Sequence, residues 1–288
     1  MAIEAGGTKW RVAIGRSPDL IADSTIPTAD PNETIGACIE FIRDTGLPVA
    51  GVGIAAFGPL DLDPSSDTYG FITDTPKPGW SHANIKSRIE SALGLPAVID
   101  LDVGGAALGE GWWGAGRDLD VFVYVTVGTG LGGAVLRHGR TFHHRGHPEM
   151  GHVSVEREHG DTYPGSCPFH RTCLEGMAAG PAIRLRWGRP GSELSARPEV
   201  WDLEARYLAQ GMRTYTYTIV PQRIILGGGV MQQPGLLGLV RKYLQERLAG
   251  YGPAPADLND YLVAPKLGQD AGVIGAIALA RDAFEERR

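Results

Sequence analysis

Residues 121–136 read VFVYVTVGTGLGGAVL: an apolar run, a glycine-rich turn and a second apolar run. Residues 2–15, AIEAGGTKWRVAIG, repeat this order of strand, glycine turn and strand. Each stretch predicts a β-hairpin, since glycine tolerates the backbone conformations that a tight turn between two strands requires. The hairpins lie about 120 residues apart in the chain, and such internal similarity indicates two related halves.

Both glycine turns also predict a ligand, because consecutive backbone N–H groups in such a turn can surround a phosphate. An ordinary hairpin would explain the first turn taken alone, although its threonine and lysine add a hydroxyl and a positive charge. The second turn matches G-x-G-x-x-G, but it leads into a strand, whereas the dinucleotide-binding pattern must open a helix. A helix-opening G-x-x-x-x-G-K-[ST] segment is also missing, which excludes a P-loop enzyme. The predicted phosphate-contacting residues are Gly6, Gly7, Thr8 and Lys9 in the first turn and Gly128, Thr129 and Gly130 in the second.

Residues 147–175, HPEMGHVSVEREHGDTYPGSCPFHRTCLE, contain a compact Cys-x-x-His-x-x-Cys cluster and further histidines upstream of it. Two thiolates and two imidazoles suit tetrahedral zinc, and a full set of protein ligands leaves no open position for chemistry. We therefore predict a structural Zn²⁺; the alternative is two buried cysteines and two ordinary histidines, and His159 is a rival ligand. The predicted ligands are His152, Cys167, His170 and Cys173.

Two acidic residues flank this cluster. Glu149 precedes His152 by three residues, and Glu175 comes shortly after Cys173 in the chain. A loop fixed by zinc would also fix these two carboxylates. We predict that they accept hydrogen bonds from the hydroxyl groups of a polar ligand.

Length and composition exclude several classes of protein. The 288 residues predict about two domains. A net charge of −6 without a basic run argues against nucleic-acid binding. The chain has no apolar window of about 18 residues, so we predict no membrane span. Met1 leads directly into a strand pattern rather than a signal peptide, and the low cysteine content fits a reducing cytoplasm.

Apolar periodicity predicts strands and helices that alternate along the chain. The loop 61–80 is rich in Pro, Ser, Thr and Asp, and a loop of this length is often functional. The predicted strands outside the hairpins are 49–57, 97–100 and 223–226. The predicted helices are 32–45, 84–93, 103–109, 173–187, 201–220, 236–248 and 270–287.

Asp102 follows the predicted strand 97–100 at its carboxyl end, just before a helix rich in glycine and alanine. Ligands of open α/β sheets bind outside the carboxyl ends of the strands. A carboxylate there is well placed to abstract a proton. Asp102 could instead be only the N-cap of the helix, and Asp100 competes for the catalytic role.

The segment EMGH, followed by CPFHRTCLEG, resembles the ROK family of sugar kinases and repressors, and within it the bacterial fructokinases. The resemblance extends from Ala2 to about Ala280. It implies an α/β, two-domain actin-like or ribonuclease H-like ATPase fold with a cleft between the domains. The implied domains are residues 1–113, completed by 270–288, and residues 114–269, which contain the zinc loop 147–175.

The resemblance also selects the catalytic base. DLDVGGAALGE aligns with the family's catalytic segment and implies that Asp102 is the general base. In this chain Leu101 and Gly104 stand where the family has two asparagines, which removes two polar groups near the sugar. Glu4 stands where the first phosphate motif usually begins with Asp, as it also does in fructokinase-like members.

By the same resemblance, residues 73–80 line a sugar pocket; the alternative is a solvated connection between two elements. The resemblance also implies that Glu149, His152 and Glu175 bind the sugar. The implied ligands are ATP, Mg²⁺ and a hexose, and the implied assembly is a homodimer. The implied nucleotide contacts after the phosphate turns are Pro181 and an adenosine motif, Gly227, Gly228, Gly229, Val230 and Met231.

The predicted activity is ATP-dependent phosphorylation of a hexose, D-fructose to fructose 6-phosphate. The alternatives are a kinase for mannose or glucose and a non-catalytic sugar sensor. A zinc hydrolase or deaminase is a further alternative, because His147-Pro148-Glu149 matches H-x-E. That class requires a Pro-Cys-x-x-Cys partner, which this sequence lacks.

Overall fold

The computed structural model describes residues 1–16, 18–75, 77–143, 146–253 and 255–285, the last four of these without their side chains. The strands are β1 (Ala2–Ala5), β2 (Lys9–Gly15), β3 (Leu20–Pro27), β4 (Val52–Ala56), β5 (Ala97–Leu101), β6 (Val121–Val127), β7 (Leu131–Arg137), β8 (Arg140–Thr141), β9 (Arg223–Gly227) and β10 (Leu262–Val263). The helices are α1 (Pro31–Thr45), α2 (Lys86–Leu93), α3 (Asp102–Trp113), α4 (Leu174–Ala178), α5 (Gly180–Trp187), α6 (Pro198–Ile219), α7 (Leu236–Leu248), α8 (Leu258–Tyr261) and α9 (Ala271–Glu285).

The chain divides into two compact units. The first unit comprises Met1–Asp118, Gly139–His147 and the segment from Gln269 onward, and the second comprises Leu119–His138 and Pro148–Gly268. The predicted domain boundaries stay a prediction. They assigned residues 139–147 to the second domain, whereas these residues group with the first unit in the structure.

The two units contain sheets of the same topology. In the first, the order is β3-β2-β1-β4-β5, with β1 antiparallel to β2 and parallel to β4, and β4 parallel to β5. In the second, the order β7-β6-β9-β10 repeats this pattern, since β6 is antiparallel to β7 and parallel to β9, and β9 is parallel to β10. The predicted α/β class, the two glycine hairpins and the two related halves are confirmed.

Most predicted elements are present with small shifts at their ends. Helix α1 begins after Asp30, whose carboxylate accepts the Asn32 N–H at 2.7 Å, and ends at Gly46, whose φ of 61° is left-handed. Helix α2 begins two residues later than predicted, yet the Asn84 side chain still accepts the Ser87 N–H at 3.0 Å. The predicted strand 49–57 is shorter, the predicted helix 103–109 is longer, and the last two residues predicted for α9 lie outside the described residues.

The predicted single helix 173–187 is wrong. Helices α4 and α5 are separated at Ala179, whose backbone is extended at φ −77° and ψ 164°. Pro181 explains the break, because proline has no N–H to donate and its ring clashes with the carbonyl of the preceding turn. Proline is tolerated in a first turn, where the N–H has no partner, so a new helix begins there.

Helix α9 packs in the first unit so closely on α3 that backbone touches backbone. A Cβ atom added at Gly275 would lie 1.7 Å from the Gly105 carbonyl oxygen, and one added at Gly53 would lie 1.8 Å from the Ala276 carbonyl oxygen. Glycine is therefore required at these crossings. Within the described residues, no helix is both long and apolar enough to span a membrane.

We expect Gly275→Ala to lower the free energy of unfolding by at least ~1–3 kcal/mol, because an added methyl must push two helices apart. Gly36→Ala is the matched control: it lies in α1 with no atom within 4 Å of the added Cβ. That change should raise the free energy of unfolding by about 0.5–1 kcal/mol. Urea unfolding of both variants measures the difference, and equal effects would contradict the predicted crowding at Gly275.

Candidate functional site

The first glycine turn is stabilised by a hydrogen bond within the turn and by two hydrogen bonds from other segments. Its Gly6 N–H donates to the Lys9 carbonyl at 3.0 Å, and a Cβ at Gly6 would lie 2.7 Å from the same oxygen. Thr28 donates its hydroxyl to the Gly6 carbonyl at 2.8 Å. Lys77, from the predicted sugar-pocket segment, donates to the Gly7 carbonyl. The ammonium group of Lys77, which comes from a distant loop, therefore lies against a backbone carbonyl of the first glycine turn. Pro76 of that segment lies outside the described residues.

Asp102 is the first residue of α3, directly after β5. Leu101 rather than Asp102 is the N-cap, and the Asp102 carboxylate accepts the Val103 N–H at 2.7 Å. Asp102 has a solvent-accessible surface, so a ligand can reach its side chain. Protein nonetheless surrounds it and shields it from bulk water, and this desolvation, followed by the negative charge of Asp100, raises the pKa of Asp102 to about 6.

Glu4, beside the first turn, has a pKa raised to about 7, chiefly by burial and then by the charge of Asp102. The glutamate side chain lies against α9, because a Cβ added at Gly272 would approach its Oε1 to 2.3 Å. The longer side chain at position 4 is therefore accommodated by a glycine at position 272. In the first unit, Glu4 next to the first turn thus lies near enough to Asp102 to be affected by its charge, and Asp102 is affected in turn by the buried Asp100.

The second glycine turn is linked to the zinc loop through Glu175. One carboxylate oxygen of Glu175 accepts the Leu131 N–H at 3.0 Å, and a Cβ added at Gly130 would lie 3.0 Å from the same oxygen. The Gly128 carbonyl accepts the Gly180 N–H at 2.8 Å. The turn between β6 and β7 is therefore fixed by Glu175 within α4 and by Gly180 at the start of α5. The oxygen of Glu175 that is used in this link is Oε2.

The four predicted metal ligands come together in the second unit. Their donor atoms all lie within 4.8 Å of one another. His152 Nδ1 lies 3.4 Å from Cys173 Sγ and 3.7 Å from Cys167 Sγ, and His170 Nδ1 lies 3.8 Å from Cys167 Sγ. Tetrahedral zinc, with bonds of ~2.3 Å to sulfur and ~2.0 Å to nitrogen, places such atoms about 3.5–3.8 Å apart. The donor set and its spacing fit zinc.

Short β-bridges bring these ligands together: Ser154 pairs with Cys173, and Cys167 pairs with Arg171. His159, the rival ligand, is exposed and is not a member of the cluster. His152 turns Nδ1 toward the cysteines and Nε2 toward Glu149, whose Oε2 lies 3.9 Å away. A metal-bound histidine commonly donates its other N–H to a carboxylate, and this arrangement fixes the ring orientation.

A cavity of about 780 Å³ opens in the second unit and is lined by three of the predicted motifs. Five predicted nucleotide contacts line it: Gly128, Thr129, Pro181, Gly229 and Val230. Gly228 is not among the lining residues; its φ is +96°, and an added Cβ would lie 2.4 Å from the Val127 nitrogen, so the backbone packs closely there. The lining also includes Arg184, Ser195, Trp201 and Gln233, which no sequence motif marked.

Comparison with known proteins matches residues 1–283 to the ROK family. The chain belongs to the ROK family. It is 42% identical over 287 residues to a fructokinase of Zymomonas mobilis, covering 96% of this chain and 95% of that protein. It is 39% identical over 285 residues to a fructokinase of Pediococcus pentosaceus, covering 99% of this chain and 98% of that protein.

Among solved structures, the chain resembles a ROK family glucokinase from Streptomyces griseus in complex with glucose and AMPPNP. The TM-score is 0.76 and the identity is 26%, over 98% of both chains. The fold is therefore the two-domain α/β fold of ROK sugar kinases.

Proposed function

We propose that the chain is an ATP-dependent fructokinase that converts D-fructose to fructose 6-phosphate. The observation that carries this assignment is the identity of 42% to a fructokinase over nearly the whole length of both chains. The glucokinase of known structure is more distant, at 26% identity. Fructose is thus favoured over glucose as the acceptor.

An ATP-consumption assay with fructose, mannose and glucose tests the substrate. We expect the largest kcat/KM with fructose. A larger kcat/KM with mannose or glucose would reassign the substrate, and binding of a sugar without ATP turnover would indicate a sensor.

In the reaction, the 6-hydroxyl oxygen of the sugar attacks the γ-phosphorus of ATP, and the bond to the β–γ bridging oxygen breaks to release ADP. The hydroxyl proton passes to Asp102, which acts as general base. The support for this role is its position at the carboxyl end of β5, its exposed side chain and its pKa of about 6.

The glycine turns supply backbone N–H donors to the phosphates, where charge must be stabilised. Mg²⁺, when bound, neutralises part of the phosphate charge, and Glu4 offers the kind of carboxylate oxygen that it accepts beside phosphates. The proposed phosphate and nucleotide contacts are Gly6, Gly7, Thr8, Lys9, Gly128, Thr129, Gly130, Pro181, Gly227, Gly228, Gly229, Val230 and Met231.

We also propose that Glu149, His152 and Glu175 hold the ring hydroxyls of the sugar. A zinc ion held by His152, Cys167, His170 and Cys173 would keep these side chains in place without taking part in the chemistry. The homodimer implied by the family stays a prediction, which a sedimentation measurement tests.

The pH dependence of turnover follows from the Asp102 pKa. The base must be ionised, so kcat/KM should fall about tenfold per pH unit below about pH 6 and level off above it. A pH–rate profile with saturating Mg²⁺ measures this limb, with thermal melts at each pH as the control for unfolding. A rate that is unchanged down to about pH 5 would contradict the assignment of Asp102 as the base.

A further inference from the structure

Asp100 is a buried carboxylate that the proposed reaction does not use. It lies at the end of β5, two residues before Asp102, and is 2% exposed. Its Oδ2 accepts the Thr141 hydroxyl at 2.8 Å and lies 3.7 Å from His143 Nε2, while its Oδ1 accepts the Leu101 N–H at 2.7 Å. A buried charge is costly unless it is paired, and here strand β8 and the residues after it supply the partners.

The same carboxylate explains the glycine at position 104. A Cβ added at Gly104 would lie 2.6, 2.7 and 2.8 Å from Oδ1, Cγ and Oδ2 of Asp100. A side chain at position 104 would therefore require the Asp100 carboxylate to move. Asp100 and Gly104 are therefore a matched pair, in which a carboxylate from the strand fills the space that a helix side chain would need.

Two histidines extend this group from the segment Gly139–His147, which belongs to the first unit. The side chain of His143 is 23% exposed; its Nε2 faces Asp100, which raises the pKa of His143. Within the described residues, His143 Nδ1 has no hydrogen-bond partner. His147 Nε2 is buried and has no hydrogen-bond partner among the residues that the structure describes, and burial lowers the pKa of His147 to about 4, so the ring is neutral at pH 7.

We propose that Asp100, His143 and His147 form a subsite for sugar hydroxyls beside Asp102, and that this subsite sets the preference among hexoses. His143 donates from Nδ1 to one hydroxyl, and His147 uses the free Nε2 for another. Asp100 is a positioning residue that holds the His143 ring through Nε2, as a carboxylate orients a histidine in many binding sites. This subsite rests on the proposed hexose kinase activity.

The first test replaces His143 with alanine and measures kcat and KM for fructose, mannose, glucose and ATP. We expect the KM for the preferred hexose to rise roughly 10- to 100-fold, as for loss of a hydrogen bond to a charged group, with the KM for ATP unchanged. Asp100→Asn should also raise the KM for the preferred hexose. The KM of the double variant should be no higher than that of His143→Ala. The control is His138→Asn, since this histidine is exposed and its φ of 51° is one that asparagine tolerates.

The second test uses the matched pair. Gly104→Asn alone should unfold at a lower temperature than the parent, because its Cβ meets the Asp100 carboxylate. Adding Asp100→Ser should restore the unfolding temperature and change the ratio of kcat/KM among the three hexoses. A double variant that is no more stable than Gly104→Asn would refute the pairing.

The outcomes distinguish a failure of the proposed kinase activity from a failure of the proposed subsite. If the parent protein phosphorylates no hexose, the proposed function fails and the subsite with it. If the parent is active but His143→Ala keeps the parent's KM for each hexose, only the subsite is wrong. Equal losses for all sugars and for ATP, with a lower unfolding temperature, would also overturn it, because they indicate a purely structural role.

Discussion

The Asp102→Asn variant is expected to bind sugar with nearly unchanged affinity and to lose turnover by at least ~100-fold. Asparagine keeps the shape of the side chain and can still accept the Val103 N–H bond that holds the carboxylate at 2.7 Å. It cannot take a proton at neutral pH. The loss should therefore fall on kcat, while sugar affinity, measured by calorimetry without ATP, stays close to that of the parent.

Asp44→Asn is the matched control for this experiment. It removes one carboxylate from an exposed position near the end of α1 and should leave kcat and KM unchanged. Turnover of Asp102→Asn within a few-fold of the parent would exclude Asp102 as the base, and Asp100 would become the next candidate. A loss of sugar binding equal to the loss of turnover would instead indicate a binding role for Asp102.

The second large effect is expected at the zinc cluster. Cys173→Ser should reduce the zinc content from about one per chain to nearly none, because a hydroxyl is a poor zinc ligand. The free energy of unfolding should fall by at least ~3 kcal/mol, since metal binding contributes directly to folding. The KM for sugar should rise as well, because His152 and Glu149 would lose their fixed orientation. Elemental analysis, urea unfolding and sugar kinetics measure the three effects.

Two variants serve as controls for the metal. Cys38→Ala changes a buried cysteine in α1 of the first unit, and His159→Gln changes the rival histidine outside the cluster. Both should keep the full zinc content. Protein that is purified without a chelator and contains no zinc would contradict the structural-zinc prediction, and loss of zinc from His159→Gln would reinstate His159 as a ligand.

Features encoded by local patterns were predictable from the sequence. The glycine hairpins follow from short apolar runs around glycine turns, and α7 matches its predicted bounds of Leu236–Leu248. The Cys-x-x-His-x-x-Cys spacing brings three ligands together within one loop. The break at Ala179 was missed although Pro181 was visible, because the apolar pattern continued across it.

Contacts between distant segments were not predictable. The Asp100 carboxylate accepts a hydrogen bond from Thr141, 41 residues later in the chain, and nothing in either segment indicates the other. The cavity in the second unit likewise takes Trp201, Arg184 and Gln233 from separate elements. Burial and pairing of this kind depend on which surfaces pack together, and a local sequence pattern carries no record of that.

The sequence by itself determined the two glycine hairpins, the four residues of the His/Cys cluster, the position of Asp102 after its strand and the resemblance to the ROK family. Only the tertiary structure decided that residues 139–147 group with the first unit, that Glu4 is accommodated by Gly272, and that the Asp100 carboxylate occupies the space beside Gly104. The physical reason is the distance along the chain over which each interaction acts. Turn geometry, periodicity and ligand spacing act over a few neighbouring residues, whereas steric exclusion and charge pairing act between residues that only the folded chain brings together.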